Sequence, residues 1–193
     1  MDFKLSKDGK VLNYVKPHVV TLDVPDSVIK IDYLAFSDCN ELITINMSNV
    51  EVIGNSAFSG CEKLTTISMP KVTKIHNYAF SECVNLTKVN LPEVQTIGDR
   101  SFSQCYNLLE VNMPNVIYIG SFAFEECVNL SVLNIPNFRR YYIGFLTKCV
   151  NLSYINSKLD KDHIEASLNN EENFHKYLQR NREYKLNKLY GEL

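Results

Sequence analysis

Six cysteines stand at Cys39, Cys61, Cys83, Cys105, Cys127 and Cys149, and every gap between them is 22 residues. A constant period in this range is the signature of a solenoid, in which each repeat buries its apolar side only by stacking on its neighbours. The spacing also removes the usual thiol chemistries from consideration. No C-x-x-C pair is present, so the common zinc and thiol-redox motifs are absent.

The rest of the chain keeps the same register. Phenylalanine precedes each cysteine by three at Phe36, Phe58, Phe80, Phe102 and Phe124, with Leu146 in the last copy. Leucine follows each by three at Leu42, Leu64, Leu86, Leu108, Leu130 and Leu152. Then come Ile45, Ile67, Val89, Val111, Leu133 and Ile155, and after them Met47, Met69, Leu91, Met113 and Ile135. Prolines follow at Pro70, Pro92, Pro114 and Pro136; a valine column (Val50, Val72, Val94, Val116) and an isoleucine column (Ile53, Ile75, Ile97, Ile119) close the unit. An earlier copy starts at Val19 with Leu22, Val24 and Pro25, and reaches Phe36 through Val28 and Ile31 with one extra residue.

One unit can be read as local structure. In Leu64-Thr65-Thr66-Ile67-Ser68-Met69 the last positions alternate apolar and polar, the period of a half-buried strand. Leu64, Ile67 and Met69 face the core, while Thr66 and Ser68 face out. Pro70 lacks the N–H that would extend the ladder, so the strand stops there. Val72 and Ile75 return inward along a second short extended segment, and Ala79 and Phe80 enter the core before Cys83. The expected fold is an α/β solenoid, mostly β, of about seven rungs of 22–23 residues. An N-terminal hairpin cap is expected over 1–18, the solenoid over 19–157, and a helical cap or tail over 158–193.

The string Ala-Phe-x-x-Cys-x-x-Leu-x-x-Ile-x-Met-Pro-x-Val-x-x-Ile, unbroken from Ala57 to Ile75, resembles the BspA-like class of leucine-rich repeats. The commoner leucine-rich repeat carries Asn or Cys where this chain has Val50, Val72, Val94 and Val116. Members of the class look like surface and interaction proteins of anaerobic bacteria, parasitic protozoa and some large viruses. The resemblance implies binding rather than catalysis.

The columns separate core from candidate site. The phenylalanines read as core. The cysteines read as a buried column of small apolar side chains, a role that free cysteine fills well. Stacked Cα atoms lie within disulfide range, but equivalent side chains project in parallel, which makes the required dihedral awkward. One outward strand column is Asp23, Asn46, Ser68, Asn90, Asn112, Asn134 and Asn156. Its amides can hydrogen-bond along the solenoid axis, and the same row can serve a ligand. The other outward column, Thr21, Thr44, Thr66, Lys88, Glu110, Val132 and Tyr154, is varied. Stacking does not demand that variety, and a varied row on a regular frame is where a repeat protein writes specificity. A drifting solvated face would look the same. Tyr154 is the best single anchor, since tyrosine is enriched at interface hot spots.

A solenoid must cap its ends or polymerise through them. Asp8-Gly9, between Phe3/Leu5 and Val11/Leu12, reads as a hairpin turn over the first rung. At the other end Phe138, Arg139, Arg140, Tyr141 and Tyr142 replace the valine–isoleucine pattern. This basic, aromatic stretch is a cap contact or a second candidate binding patch. Beyond it, 160–168 reads as a short helix and Asn170-Glu171-Glu172 as a second helix start. The tail splits by charge, with five acids and one lysine over 160–172 and five bases and one glutamate over 176–188. A basic helix can touch RNA, but the solvated face of a capping helix is the plainer reading.

The functional classes narrow accordingly. The four histidines keep no register with an acid or nucleophile, and there is no H-E-x-x-H, G-x-S-x-G or phosphate-cradling glycine loop. No enzyme and no cofactor is expected. A net charge of -2 gives no overall pull toward nucleic acid, and no apolar run is long enough to span a membrane. The expected partner is another protein, with the chain a monomer or a tail-mediated dimer. The first residues lack a secretory h-region, and free buried thiols fit a reducing compartment, so a cytoplasmic location is expected. A surface adhesin for host matrix protein or glycan, and a small intracellular inhibitor of a larger enzyme, are the alternatives.

Overall fold

A computed structural model describes residues 2–141, 144–157, 161–168 and 176–181. In chain order the elements are β1 (Phe3–Leu5), β2 (Val11–Val15), β3 (Thr21–Asp23), β4 (Lys30–Ile31), β5 (Thr44–Asn46), β6 (Val52–Ile53), β7 (Thr66–Ser68) and β8 (Lys74–Ile75). They continue with β9 (Lys88–Asn90), β10 (Thr96–Ile97), β11 (Glu110–Asn112), β12 (Tyr118–Ile119), β13 (Val132–Asn134), β14 (Arg140–Tyr141), β15 (Tyr154–Asn156) and helix α1 (Lys161–Leu168). Residues 176–181 are also helical.

Each rung contributes one three-residue strand, one two-residue strand and one run of turns, so the coil has three sides. The two-residue strands form a continuous sheet in the order β1-β2-β4-β6-β8-β10-β12-β14, parallel throughout except for β1. The three-residue strands form a second side, also parallel and in register, with β3-β5-β7 and β9-β11-β13-β15 as two separate ladders. The extra residue of the first copy lies between these sides. Thr21 pairs with Thr44, 23 residues on, whereas Lys30 pairs with Val52, 22 residues on.

The third side consists of stacked turns. Ten non-glycine residues here have positive φ, at two positions per rung: Leu34, Ser56, Tyr78, Arg100 and Phe122, and then Asp38, Glu82, Gln104, Glu126 and Lys148. A left-handed residue costs roughly 1–2 kcal/mol for an L-amino acid. The return is a hydrogen bond along the axis. Tyr78, Phe80 and Glu82 donate their N–H groups to the carbonyls of Asp99, Ser101 and Ser103 in the following rung. The same three bonds recur from Ser56, Phe58 and Gly60 and from Arg100, Phe102 and Gln104, always from the earlier rung to the later.

The core runs between the three sides. Phe36, Phe58, Phe80, Phe102 and Phe124 are fully buried and stack in sequence, with centroids 4.2, 4.9, 5.2 and 5.4 Å apart. The sequence register ends this column at Leu146, and the structure adds what replaces the ring. Phe145 occupies the position of Ala35, Ala57, Ala79 and Ala123, one place before Leu146, and is buried. Its ring meets Phe138 at 5.6 Å and a 48° tilt, so the aromatic stack turns aside instead of continuing.

The six thiols are free and buried. They also donate. Each Sγ from Cys61 onward lies 3.1–3.6 Å from the carbonyl of the phenylalanine one rung back, from Cys61–Phe36 to Cys149–Phe124. That carbonyl already accepts the N–H of its own cysteine, so the thiol fills its second lone pair. The column is therefore a set of small polar ties within an apolar core, beyond the apolar filling read from the sequence.

Both ends of the coil are occupied. At the start, β1 pairs antiparallel with β2, and Gly9 takes φ +69 in the turn between them. At the other end the last turn run donates Leu146 N–H to the Ser167 carbonyl in the final turn of α1. A helix C-terminus has carbonyls with no partner of their own, and here one of them seals the solenoid. The proposed second helix start at Asn170-Glu171-Glu172 lies outside the described residues.

Candidate functional site

The register of the three-residue strands fixes the outward rows. Thr44 stands beside Thr66, and Lys88, Glu110, Val132 and Tyr154 stand side by side across β9, β11, β13 and β15. Asn46 lies beside Ser68, and Asn90, Asn112, Asn134 and Asn156 form the parallel row two residues on. Twelve side chains selected from the sequence thus share one face. Thr66, Ser68, Lys88, Asn90, Glu110 and Asn156 are exposed, and Val132 and Tyr154 are half-buried.

The asparagines form a directed relay. Asn112 Nδ2 donates to Asn90 Oδ1 at 2.7 Å, Asn134 to Asn112 at 2.5 Å and Asn156 to Asn134 at 2.6 Å. Each amide spends one hydrogen and one lone pair on its neighbours and keeps the remainder for solvent or a ligand. Beside them Lys88 Nζ and Glu110 Oε2 pair at 3.3 Å, which neutralises the middle of the varied row. A shallow cavity of about 300 Å³ or less, 270 Å³, opens among Lys88, Val89, Asn90, Glu110 and Asn112. The face is thus uncharged on balance and rich in amides.

The relay stops where Ser68 replaces asparagine, and the backbone opens at the same place. No ladder joins β7 to β9. The Thr87 N–H reaches the Thr65 carbonyl at 3.5 Å, against 2.8–3.0 Å for the same bond at Ile43, Thr65, Leu109 and Ser131. Val24, Met47, Leu91, Met113 and Ile135 each donate to the carbonyl of the next rung's outward residue, and Met69 does not. Ile67 is only half-buried, whereas Ile45, Val89, Val111 and Leu133 are buried. The other sheet continues unbroken through β6, β8 and β10, so the seam is one-sided. Two results are expected. The Met69 amide should exchange hydrogen faster than those of Met47 and Met113. Ser68→Asn should complete the relay and raise stability by about 1 kcal/mol; an unchanged melting temperature would count against this account of the seam.

The second candidate patch falls on a different side. Arg139 and Arg140 are exposed at the end of the two-residue-strand sheet, and their N–H groups both bond the Ile117 carbonyl. Tyr141 ends β14, and Tyr142 lies outside the described residues. Phe138, read as part of this patch, is buried. Two further contacts lie at the end of the solenoid, one of them from Tyr177, whose spacing with Phe174 and Leu178 marks it as an apolar contact of the tail. Tyr177 is buried and its hydroxyl accepts from Asn181 Nδ2 at 3.1 Å, and the Arg180 guanidinium bonds the Val150 carbonyl.

The chemistry of the core thiols is unreactive. Burial pushes the Cys39 thiol up to about 11 and Cys61 to about 12, helped by Asp38 in the first case and by Cys39 in the second. Burial likewise raises Cys83, Cys127 and Cys149 well above the ordinary value. Among the described residues no group of three or more His, Cys, Asp or Glu is placed to hold a metal ion, and no helix is long and apolar enough to cross a membrane.

Comparison with known proteins agrees with this architecture. The chain matches the BspA type leucine rich repeat region over residues 14–109 and 73–176, with six copies. A leucine rich repeat protein of T. pallidum is similar in structure, with 28% identity, a TM-score of 0.69, and coverage of 81% of this chain and 79% of that one. A leucine rich cell surface protein from Faecalibacterium prausnitzii A2-165 shares 23% identity at a TM-score of 0.65, over 82% of this chain and 53% of its own. The pneumococcal vaccine antigen PcpA shares 21% identity at a TM-score of 0.62, over 70% of this chain and 35% of its own. The chain therefore spans about half the length of the second and about a third of the third. No curated protein matches. The chain belongs to the BspA-type leucine-rich repeat family.

Proposed function

We propose that this chain is a non-catalytic recognition scaffold that binds another protein through the outward face of the three-residue strands. The observation that carries the reading is the pairing of two rows on one face. A hydrogen-bonded amide row gives a fixed frame, and a varied row of Lys88, Glu110, Val132 and Tyr154 lies beside it. Affinity at such a face comes from a few anchors, with the rest supplying fit. Replacing those four residues together by serine should abolish capture of the partner from the native host while the circular dichroism spectrum stays folded. Capture retained by a folded quadruple variant would move the site to the tail or to Arg139–Tyr142. The helical residues 176–181 pack on the last rung of the same chain, which favours a monomer, with a cap at 1–18, a solenoid at 19–157 and a tail from 158.

A second reading is a surface adhesin, favoured by the likeness to a cell surface protein of F. prausnitzii. The buried, protonated thiols favour a reducing compartment instead. Fractionation of the source cell separates the two: recovery with the surface fraction supports the adhesin, and recovery with soluble cytoplasmic proteins supports the first reading.

A further inference from the structure

The strand face is electrostatically quiet, and the unbalanced charge lies elsewhere. Lys16, Lys30, Lys63, Lys88, Arg100 and Lys148 each pair with a carboxylate. Lys74, Arg139 and Arg140 are exposed and form no ion pair among the described residues. All three lie on the outer side of the two-residue-strand sheet. Register places Lys74, Thr96, Tyr118 and Arg140 in one column across β8, β10, β12 and β14. Beside that column Gln95, Ile117 and Arg139 line a groove of about 300 Å³, with Glu93, Asn115 and Asn137 along its other side. Ile117 is 44% exposed there, a branched aliphatic side chain flanked along the axis by Gln95 and Arg139.

We propose that this end of the two-residue-strand sheet is a docking surface for an extended acidic segment of a partner protein. Charge complementarity gives the sign, since Arg139 and Arg140 are paired donors of the kind that grip a carboxylate through both oxygens. Spacing gives the pattern. Lys74 and Arg140 are three rungs apart, roughly 14 Å at the spacing of parallel strands, which is also roughly the span of four residues of extended chain. A peptide lying along the solenoid axis sets one carboxylate on Arg139 and Arg140 and a second, four residues away, on Lys74. An apolar side chain midway covers Ile117. Glu93 on the groove wall repels a chain that is negative at every unit, so the surface fits a patterned acidic peptide better than a nucleic acid or a sulfated glycan. This surface is distinct from the amide face and requires nothing of it.

The test uses the full chain and a fluorescein-labelled peptide with two glutamates four positions apart and a leucine midway, followed by fluorescence anisotropy at physiological salt. Wild type should bind. Arg139→Glu/Arg140→Glu should weaken binding at least tenfold and Lys74→Glu about threefold, each with an unchanged melting temperature. Lys4→Glu/Lys7→Glu carries the same charge change in the N-terminal hairpin, at the opposite end of the sheet from β14, and should bind as wild type, as should the quadruple serine variant of the strand face. The proposal fails if folded wild type ignores the peptide, if the Lys4/Lys7 variant loses as much as the arginine variant, or if heparin or single-stranded RNA displaces the peptide at lower concentration than unlabelled peptide does. Association of copies through this face, with the peptide unbound, also overturns it.

Discussion

Truncating Phe80 to alanine should lower the unfolding free energy by about 3–5 kcal/mol. The ring is fully buried and lies between Phe58 at 4.9 Å and Phe102 at 5.2 Å, so its loss leaves a cavity with aromatic walls above and below. Neither neighbour can move in to fill it, because each is held in its own rung by the axial hydrogen bonds of the turn side. Phe36 is equally buried but stacks in this column on Phe58 alone. Phe36→Ala should therefore cost less than Phe80→Ala, since in a solenoid a central rung supports two interfaces. Urea titrations of the two variants followed by circular dichroism compare them directly, and equal losses would contradict the stack as described.

The second large effect is alkaline. Folding raises the pKa of the thiols of Cys39, Cys61, Cys83, Cys127 and Cys149, chiefly through burial, so the folded chain holds protons that the unfolded chain releases. The stability tied to these thiols is fully present below the unfolded value near 9 and is lost as pH rises through the folded values. Each such thiol contributes a slope of about 1.4 kcal/mol per pH unit above that point. All five act in the same direction, so the loss steepens with pH, and an ordinary domain has only about 5–15 kcal/mol to lose. The protein should lose stability above about pH 9 and unfold as the pH approaches the folded Cys39 value of about 11. Below pH 9 the native chain should react with a thiol reagent only slowly, and all six cysteines should titrate at once in alkali or denaturant. Six thiols reacting rapidly in a native spectrum at pH 8, or a chain still folded at pH 12, would show that the column is not held protonated by the fold.

The rung was legible because its signals are chemical and repeat. A cysteine every 22 residues fixes the register, period-two alternation marks the outward positions, and the missing N–H of proline ends five of the seven longer strands. Asp8-Gly9 announced its turn through the one residue that takes positive φ freely. The turn side was not legible for the converse reason. Tyr78, Phe122 and Lys148 adopt left-handed backbone without any residue type that advertises it; the axial hydrogen bonds of neighbouring rungs impose the conformation. The thiol bonds needed a carbonyl 25 residues away in sequence. Ser68 was visible as an exception among asparagines, but the opening of the β7–β9 seam is a property of two strands together. The two candidate patches were close in sequence at Asn134 and Arg139, yet one rung turns through a corner between them and sets them on different sheets.

The direction of the turn-side bonds bears on how such a chain can change length. On that side every internal junction joins N–H groups of one rung to carbonyls of the next in the same sense, so the turn side alone would accept any of them. Only the two terminal ones differ, where Val15 N–H meets the Ala35 carbonyl at one end and the Ser167 carbonyl meets Leu146 at the other. A duplicated unit inserted at an interior junction where both ladders are closed, as between β9 and β13, would find a correct mate above and below it, and neither terminus would need to be rebuilt. Gene duplication can thus lengthen the exposed strand face in increments of roughly 4.8 Å, the inter-strand spacing, while the side chains on each new rung are free to diverge. Selection on reach and selection on specificity become separable in a molecule built this way.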